Sequence, residues 1–211
     1  MSGTLTGDWV FAAKVSLTVF FALTALTFFG GWWYQDAPFP APAIVEAQEP
    51  SGSTAQSTEG AEAELLIPHL GIRTPIVWST SRTEADLQRD LDHGAIHYPG
   101  TALPGEQGNA FVAAHSSAPF WRPGRYGRIF ARLQRLTVGD EDVFVIYKKD
   151  GRTARSLQFT VTEEAIVRDT DPRLFASTDT KELTLVTCWP VGTRWRRLMI
   201  KTELVRDSQQ E

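Results

Sequence analysis

The sequence is short of cysteine, of basic residues over its N-terminal part, and of helical periodicity after that, and each shortage excludes something. With one cysteine, Cys188, no disulfide can form within the chain. Lys14 and Arg73 are separated by a stretch without a single Lys or Arg, and from Val15 to Gln35 no residue is charged. No repeat of solenoid or propeller period recurs along the chain. At 211 residues there is room for one ordinary domain and an appendage, and too little for two well-packed domains with a linker.

The uncharged run "VSLTVFFALTALTFFGGWWYQ" has the length of a membrane span, since a helix of about 20 residues rising about 1.5 Å each crosses a hydrocarbon core of about 30 Å. Trp32, Trp33 and Tyr34 supply interfacial rings at its end, and Lys14 before it keeps the N-terminus inside. The expected order is a cytoplasmic segment 1–14, a transmembrane signal anchor 15–35 and an exported remainder. A cleaved signal peptide is the competing reading, with "APA" at Ala41–Ala43 as its cleavage site. That apolar run is longer than the about 7–15 residues of secretory cores.

Residues 36–63 are rich in Pro, Ala, Ser and Glu and lack periodic apolar positions, which predicts a flexible tether. Its acids Asp36, Glu46, Glu49, Glu59 and Glu62 carry five negative charges, while Asp8 and Lys14 cancel. From Glu64 onward the chain is therefore at +1 out of a total of −4. A nearly neutral domain has no electrostatic footprint for nucleic acid, and none is expected as a partner.

After the tether the pattern is one of short strands. "ELLIPHLGI", "TPIVW", "NAFVAAHS", "DVFVIYKK", "SLQFTVTEEAIV", "ELTLVTC" and "RRLMIKTELV" are apolar or alternating runs divided by turn residues. Seven or eight such strands fit a small closed barrel or a sandwich. Asp150-Gly151 within "KKDGRT" predicts a hairpin. Thr83, with Glu84 and Asp86 after it, predicts a capped helix over "TEADLQRDL", and "GRIFARLQRL" is a second short helical candidate.

Cys188 closes a strand-like run just before an arginine cluster, and it is either a buried small hydrophobe or a reactive group. A reactive cysteine must be a thiolate, and with a free pKa of about 8.5 it needs a positive neighbour. Of the four histidines, His115 alone lies late in a strand-like run and opens into a polar loop, "FVAAHSSAPFW". His93 and His97 have the i, i+4 spacing of a helical zinc pair, but "HGAIHYPG" contains glycine and runs into Pro99, so neither a metal nor a cofactor is expected. Negative charge on an attacked carbonyl oxygen calls for backbone N–H groups or an arginine. Arg194, Arg196 and Arg197 all follow Cys188 closely. Because alternate residues of a strand face opposite ways, periodicity leaves open which of them looks toward the thiol.

These residues resemble the sortases, cysteine transpeptidases of bacterial surfaces. "TLVTC" at Thr184–Cys188 is similar to the family's T-L-x-T-C signature, and "RLMI" from Arg197 is similar to the start of its last strand. "LLIPHLGIRTPI", "HYPGTALPGEQGN", "AAHSS" and "RLQRLTVGDEDVFV" look like successive family segments, so the resemblance runs over roughly Leu65 to Val205.

The resemblance implies an all-β fold, an eight-stranded sortase-type barrel with one or two short helices at residues 64–206, followed by a tail at 207–211. It implies Cys188 as nucleophile, His115 as its proton partner and Arg197 as the oxyanion or substrate-positioning group. The implied reaction cleaves an LPxTG-like sorting signal between Thr and Gly through a thioacyl-enzyme and passes the acyl group to an amine. The implied partners are signal-bearing surface proteins and an amine acceptor, either a cell-wall peptide or a pilin-like lysine. The enzyme is expected at the cell membrane, spanning it once, with the catalytic domain outside the cytoplasm. Two alternatives are a cysteine peptidase that uses water on the same scaffold and an inactive peptide-binding surface domain.

Overall fold

Eight strands are drawn together by side chains that alternate between a barrel interior and an outer face. In the computed structural model, residues 62–117 and 124–209 are described. The strands are β1 (Glu62–Ile67), β2 (Ile72–Trp78), β3 (Ala95–His97), β4 (Gly108–Ala113), β5 (Val143–Lys149), β6 (Arg152–Val167), β7 (Lys181–Trp189) and β8 (Arg196–Gln209), with one helix, α1 (Glu84–Leu91), between β2 and β3. They close into a barrel in the order β1-β2-β3-β4-β7-β8-β6-β5. Two pairs are parallel, β2 with β3 and β4 with β7, and the rest are antiparallel.

The interior is filled by Leu65, Ile67, Val112, Val145, Leu157, Phe159, Leu183, Leu185 and Ile200 among others, all essentially sealed from water. Burying one such side chain contributes about 1.5–3 kcal/mol. A second apolar cluster lies on the outer face, where Leu87 and Leu91 of α1 cover Ile96, Phe111, Val186 and Met199. Thr83 caps α1 as expected, its hydroxyl accepting from the Asp86 N–H, a device that stabilises a helix by about 1 kcal/mol. The Asp150-Gly151 hairpin is also as expected, with both residues at positive φ (51° and 74°), the geometry of a two-residue primed turn.

The segment expected as a second helix, around 127–136, is instead a run of turns ending in a single 3₁₀ turn at Leu133–Arg135. Its N–H groups reach back three residues, as from Leu133 to Phe130 and from Leu136 to Leu133. Phe130, Leu133 and Leu136 are all fully buried, so the apolar period here is three, which suits 3₁₀ geometry and not 3.6.

Two boundaries differ from the sequence expectation. β1 takes in Glu62 and Ala63 from the expected tether, because both pair with β5. β8 runs to Gln209, through most of the expected tail, where Asp207 is tied to Arg155 at 2.7 and 2.9 Å. Among the described residues no helix is long and apolar enough to cross a membrane. The span expected at 15–35 and nearly all of the tether lie outside the described residues.

Candidate active site

β4 and β7 run parallel with a constant offset of 73, from Gly108 opposite Lys181 to Ala113 opposite Val186. The same offset separates His115 from Cys188. Past the last paired residues the two chains stay joined. The Ala114 N–H donates to the Val186 carbonyl at 3.2 Å, the Thr187 hydroxyl to the Ala114 carbonyl at 2.7 Å, and the Ser116 hydroxyl to the Cys188 carbonyl at 2.9 Å. A further anchor holds the histidine's backbone, whose carbonyl accepts from the Phe130 N–H at 2.9 Å. His115 therefore lies two residues past the end of β4, in backbone that continues alongside the end of β7.

β7 and β8 are antiparallel, with Cys188 opposite Arg197 and Trp189 opposite Arg196. Residues paired across a ladder share a face. Leu183 and Leu185 point into the barrel core and Val186 into the outer cluster, so Cys188 continues the outer face. On β8, Leu198 and Ile200 point inward and Met199 outward, which puts Arg197 on the outer face with Cys188. The choice left open by periodicity is made by register: Arg197 is 5% exposed on the cysteine's face, whereas Arg196, on the other face, is exposed.

The Arg197 guanidinium is fixed from behind. It donates to the carbonyls of Arg194 and Arg196 at 3.1 and 3.2 Å, and Asp169 stands 3.8 Å away. Arg194 ties the loop between β7 and β8 to Glu84 at the start of α1, at 3.2 Å. Cys188 is half-buried, as is His115, so neither is sealed from a reactant. A thiol beside an imidazole and a planar cation can carry out acyl transfer, in which one group attacks, one moves a proton and one balances negative charge on oxygen.

The other histidines do not join this group. His97 is buried in β3, its Nε2–H donated to the Ala102 carbonyl at 2.8 Å with the Thr101 hydroxyl 3.1 Å away. Burial holds its pKa below the ordinary histidine value, against smaller opposing effects from the Ala102 carbonyl and Glu106. His93 follows α1 and His97 is in a strand, so their spacing forms no helical pair. Among the described residues no group of His, Cys, Asp and Glu could hold a metal ion.

Two contributors escaped the sequence reading. Ser116, directly after His115, steadies the cysteine's carbonyl, and its place in "HSS" was a usable signal. Asp169 backs Arg197 from the turn after β6, and nothing local in "VRDTDP" marks it.

A closed barrel in which a cysteine on β7 faces an arginine on β8, with a histidine just past the end of β4, is the arrangement of a cysteine transpeptidase. The model of the Sortase domain matches residues 65–205, and the chain belongs to the sortase family. The fold is similar to that of a lid mutant of sortase A from Corynebacterium diphtheriae, at 24% identity and TM-score 0.56, covering 69% of this chain and 70% of that one. It is also similar to a sortase D5 transpeptidase from Clostridium perfringens, at 25% identity and TM-score 0.53, over 69% and 79% of the two chains. A point mutant of sortase E from Streptomyces avermitilis matches at 25% identity and TM-score 0.54, over 71% and 90%. A comparison with curated proteins returns no match. The family implies, in general terms, a sorting-signal substrate, an amine acceptor and a place at the cell surface.

Proposed function

We propose that the protein is a membrane-anchored sortase that cleaves an LPxTG-like sorting signal between Thr and Gly and transfers the threonyl acyl group to an amine. The observation that supports this reading is the register of β7 and β8, which sets Cys188 opposite Arg197, with His115 in the backbone that continues from β4 alongside β7.

In this mechanism the Cys188 thiolate attacks the threonine carbonyl carbon, forming a C–S bond and a tetrahedral oxyanion that Arg197 stabilises. Collapse breaks the C–N bond, the glycine nitrogen leaves with a proton from His115, and a thioester remains. An incoming amine gives its proton to His115, attacks the thioester, forms the new amide and releases the Cys188 thiolate. A substrate and an enzyme held in one membrane meet at high effective concentration, which the uncharged run 15–35 and the tether would supply.

The test is mass spectrometry of products from a library of LPxTG-like peptides and a small amine, with the full chain in detergent micelles. A product cut after Thr and joined to the amine, absent with Cys188→Ala, is the expected result. Hydrolysis alone with every amine offered would replace transfer by a peptidase reaction, and cleavage that survives Cys188→Ala would remove the nucleophile assignment.

A further inference from the structure

A cavity of about 560 Å³ opens where the turn before β2 faces residues 125–132. Four arginines line it, Arg73, Arg125, Arg128 and Arg132, together with Tyr126 and Ile129, and no acid is among its lining residues. Arg73 is shared with Glu64, at 3.0 and 3.1 Å, and Arg125 lies over the Tyr126 ring at 5.5 Å. Among the described residues no ion pair or side-chain hydrogen bond engages Arg128 or Arg132, both of which are exposed. Like charges crowded around a concavity repel one another, and low-dielectric walls focus their field into it. In a domain that carries only +1 from Glu64 onward, four cations in one groove are a concentration and not an average.

One backbone hydrogen bond links the groove's lining segment to His115. Phe130 sits between the lining residues Ile129 and Ala131, and its N–H is the group that holds the His115 carbonyl. Strand directions agree. β2 begins at the same end of the barrel at which β4 and β7 finish, because β2 is parallel to β3 and β3 antiparallel to β4.

We propose that this arginine groove is a binding site for an oxyanion group, phosphate or carboxylate, carried by the amine acceptor, and that it positions the acceptor's amine toward His115 and the thioester. The proposal rests on the transfer reaction above. Guanidinium forks match both kinds of oxyanion in a bidentate manner, and two of the four have no other engagement to give up. A neutral amine would use the same active site without this hold.

The test has a binding arm that needs no turnover and a kinetic arm that does. Full-length Cys188→Ala protein in micelles is titrated calorimetrically with inorganic pyrophosphate, and separately with triglycine and triglycinamide. Binding of pyrophosphate or triglycine is expected to weaken by about tenfold or more in an Arg128→Gln/Arg132→Gln background, the loss of one or two charge-assisted hydrogen bonds.

In the kinetic arm, glycine oligomers of increasing length are offered as acids and as amides, with aminoalkyl phosphonates beside them. At some length the anionic acceptor should show the lower KM, and that advantage should collapse toward one in the double variant. Preference for phosphonate over carboxylate, or the reverse, names the source of the anion. Anion binding that is absent, or equal in the two backgrounds, overturns the site. Acid and amide acceptors with equal KM at every length overturn its role in transfer. Arginine-dependent binding in a chain that transfers nothing upholds the anion site and sinks the transfer reading instead.

Discussion

β4, β7 and β8 carry two faces in one register, and the two are filled by different rules. Inward, the rows read Ala110, Leu183 and Thr202, then Val112, Leu185 and Ile200, then Ala114, Thr187 and Leu198, every member buried. Outward, the rows read Asn109, Glu182 and Glu203, then Phe111, Thr184 and Lys201, then Ala113, Val186 and Met199, and last Cys188 and Arg197, with His115 in the backbone just beyond β4. The inner face is uniform because one solvent-free volume asks the same of each position. The outer face is graded. α1 and the turn at Pro172–Leu174 cover its middle, and where that cover ends stand the residues to which the proposed reaction is assigned.

If the two faces divide stability from reaction, changes on each should separate the two quantities. The largest effect belongs to Cys188→Ala, which should abolish the thioacyl adduct in product mass spectra. Its melting curve should stay within about 1 kcal/mol of wild type, as expected for a half-buried side chain outside the core. A severe loss of stability would instead make Cys188 a core residue and blur the division.

Arg197→Lys comes next. It keeps the charge but loses the planar fork held by the Arg194 and Arg196 carbonyls. Loss of an oxyanion partner costs about 10²–10³ in rate, read as the single-turnover rate of donor acylation. An unaltered acylation rate would reduce Arg197 to a structural residue of the outer row.

The inner face should respond in the opposite sense. Leu185→Ala, on the same strand as Cys188, should lose about 2–5 kcal/mol in denaturant melts, as for other buried leucines. Well below its melting temperature its turnover should hold close to wild type. A large fall in turnover of folded protein would show that packing and chemistry are coupled through β7.

The two faces also differ in how far the sequence discloses them. β7 is legible as a strand because "ELTLVTC" is a short apolar run with a β-branched residue at nearly every other step, and Cys188 could be put at its end. β3 escapes because it is three residues long between Gly94 and Pro99, and its existence depends on pairing with β2 and β4. The arginine facing the thiol also escapes residue-by-residue reading. Arg196 and Arg197 are adjacent and chemically alike, and only the partner strand says which of them faces Cys188. The 73-residue offset could be counted in the sequence, but its meaning as a parallel register required knowing that β4 and β7 are neighbours.

The smallest effect separates two histidines. His97 lies on the inner face, opposite Val112 and edge-on to Trp78 at 5.2 Å, whereas His115 is half-buried just past the end of β4. Burial lowers the His97 pKa below its ordinary 6.5, so the folded protein resists a proton that the unfolded chain accepts. Stability is therefore full above about pH 6.5 and falls as the pH drops below it, until the folded-state pKa is reached. One such group gives a slope of at most about 1.4 kcal/mol per pH unit. His97→Gln keeps an N–H donor for the Ala102 carbonyl and does not titrate, so denaturant midpoints measured from pH 7 to pH 5 should lose that slope. The pH profile of transfer, which the proposed reaction assigns to other residues, should keep its shape. If the stability slope survives in His97→Gln, the titrating group lies elsewhere; if the transfer profile moves with it, the two faces are not independent and the inner histidine reaches the reaction through β4.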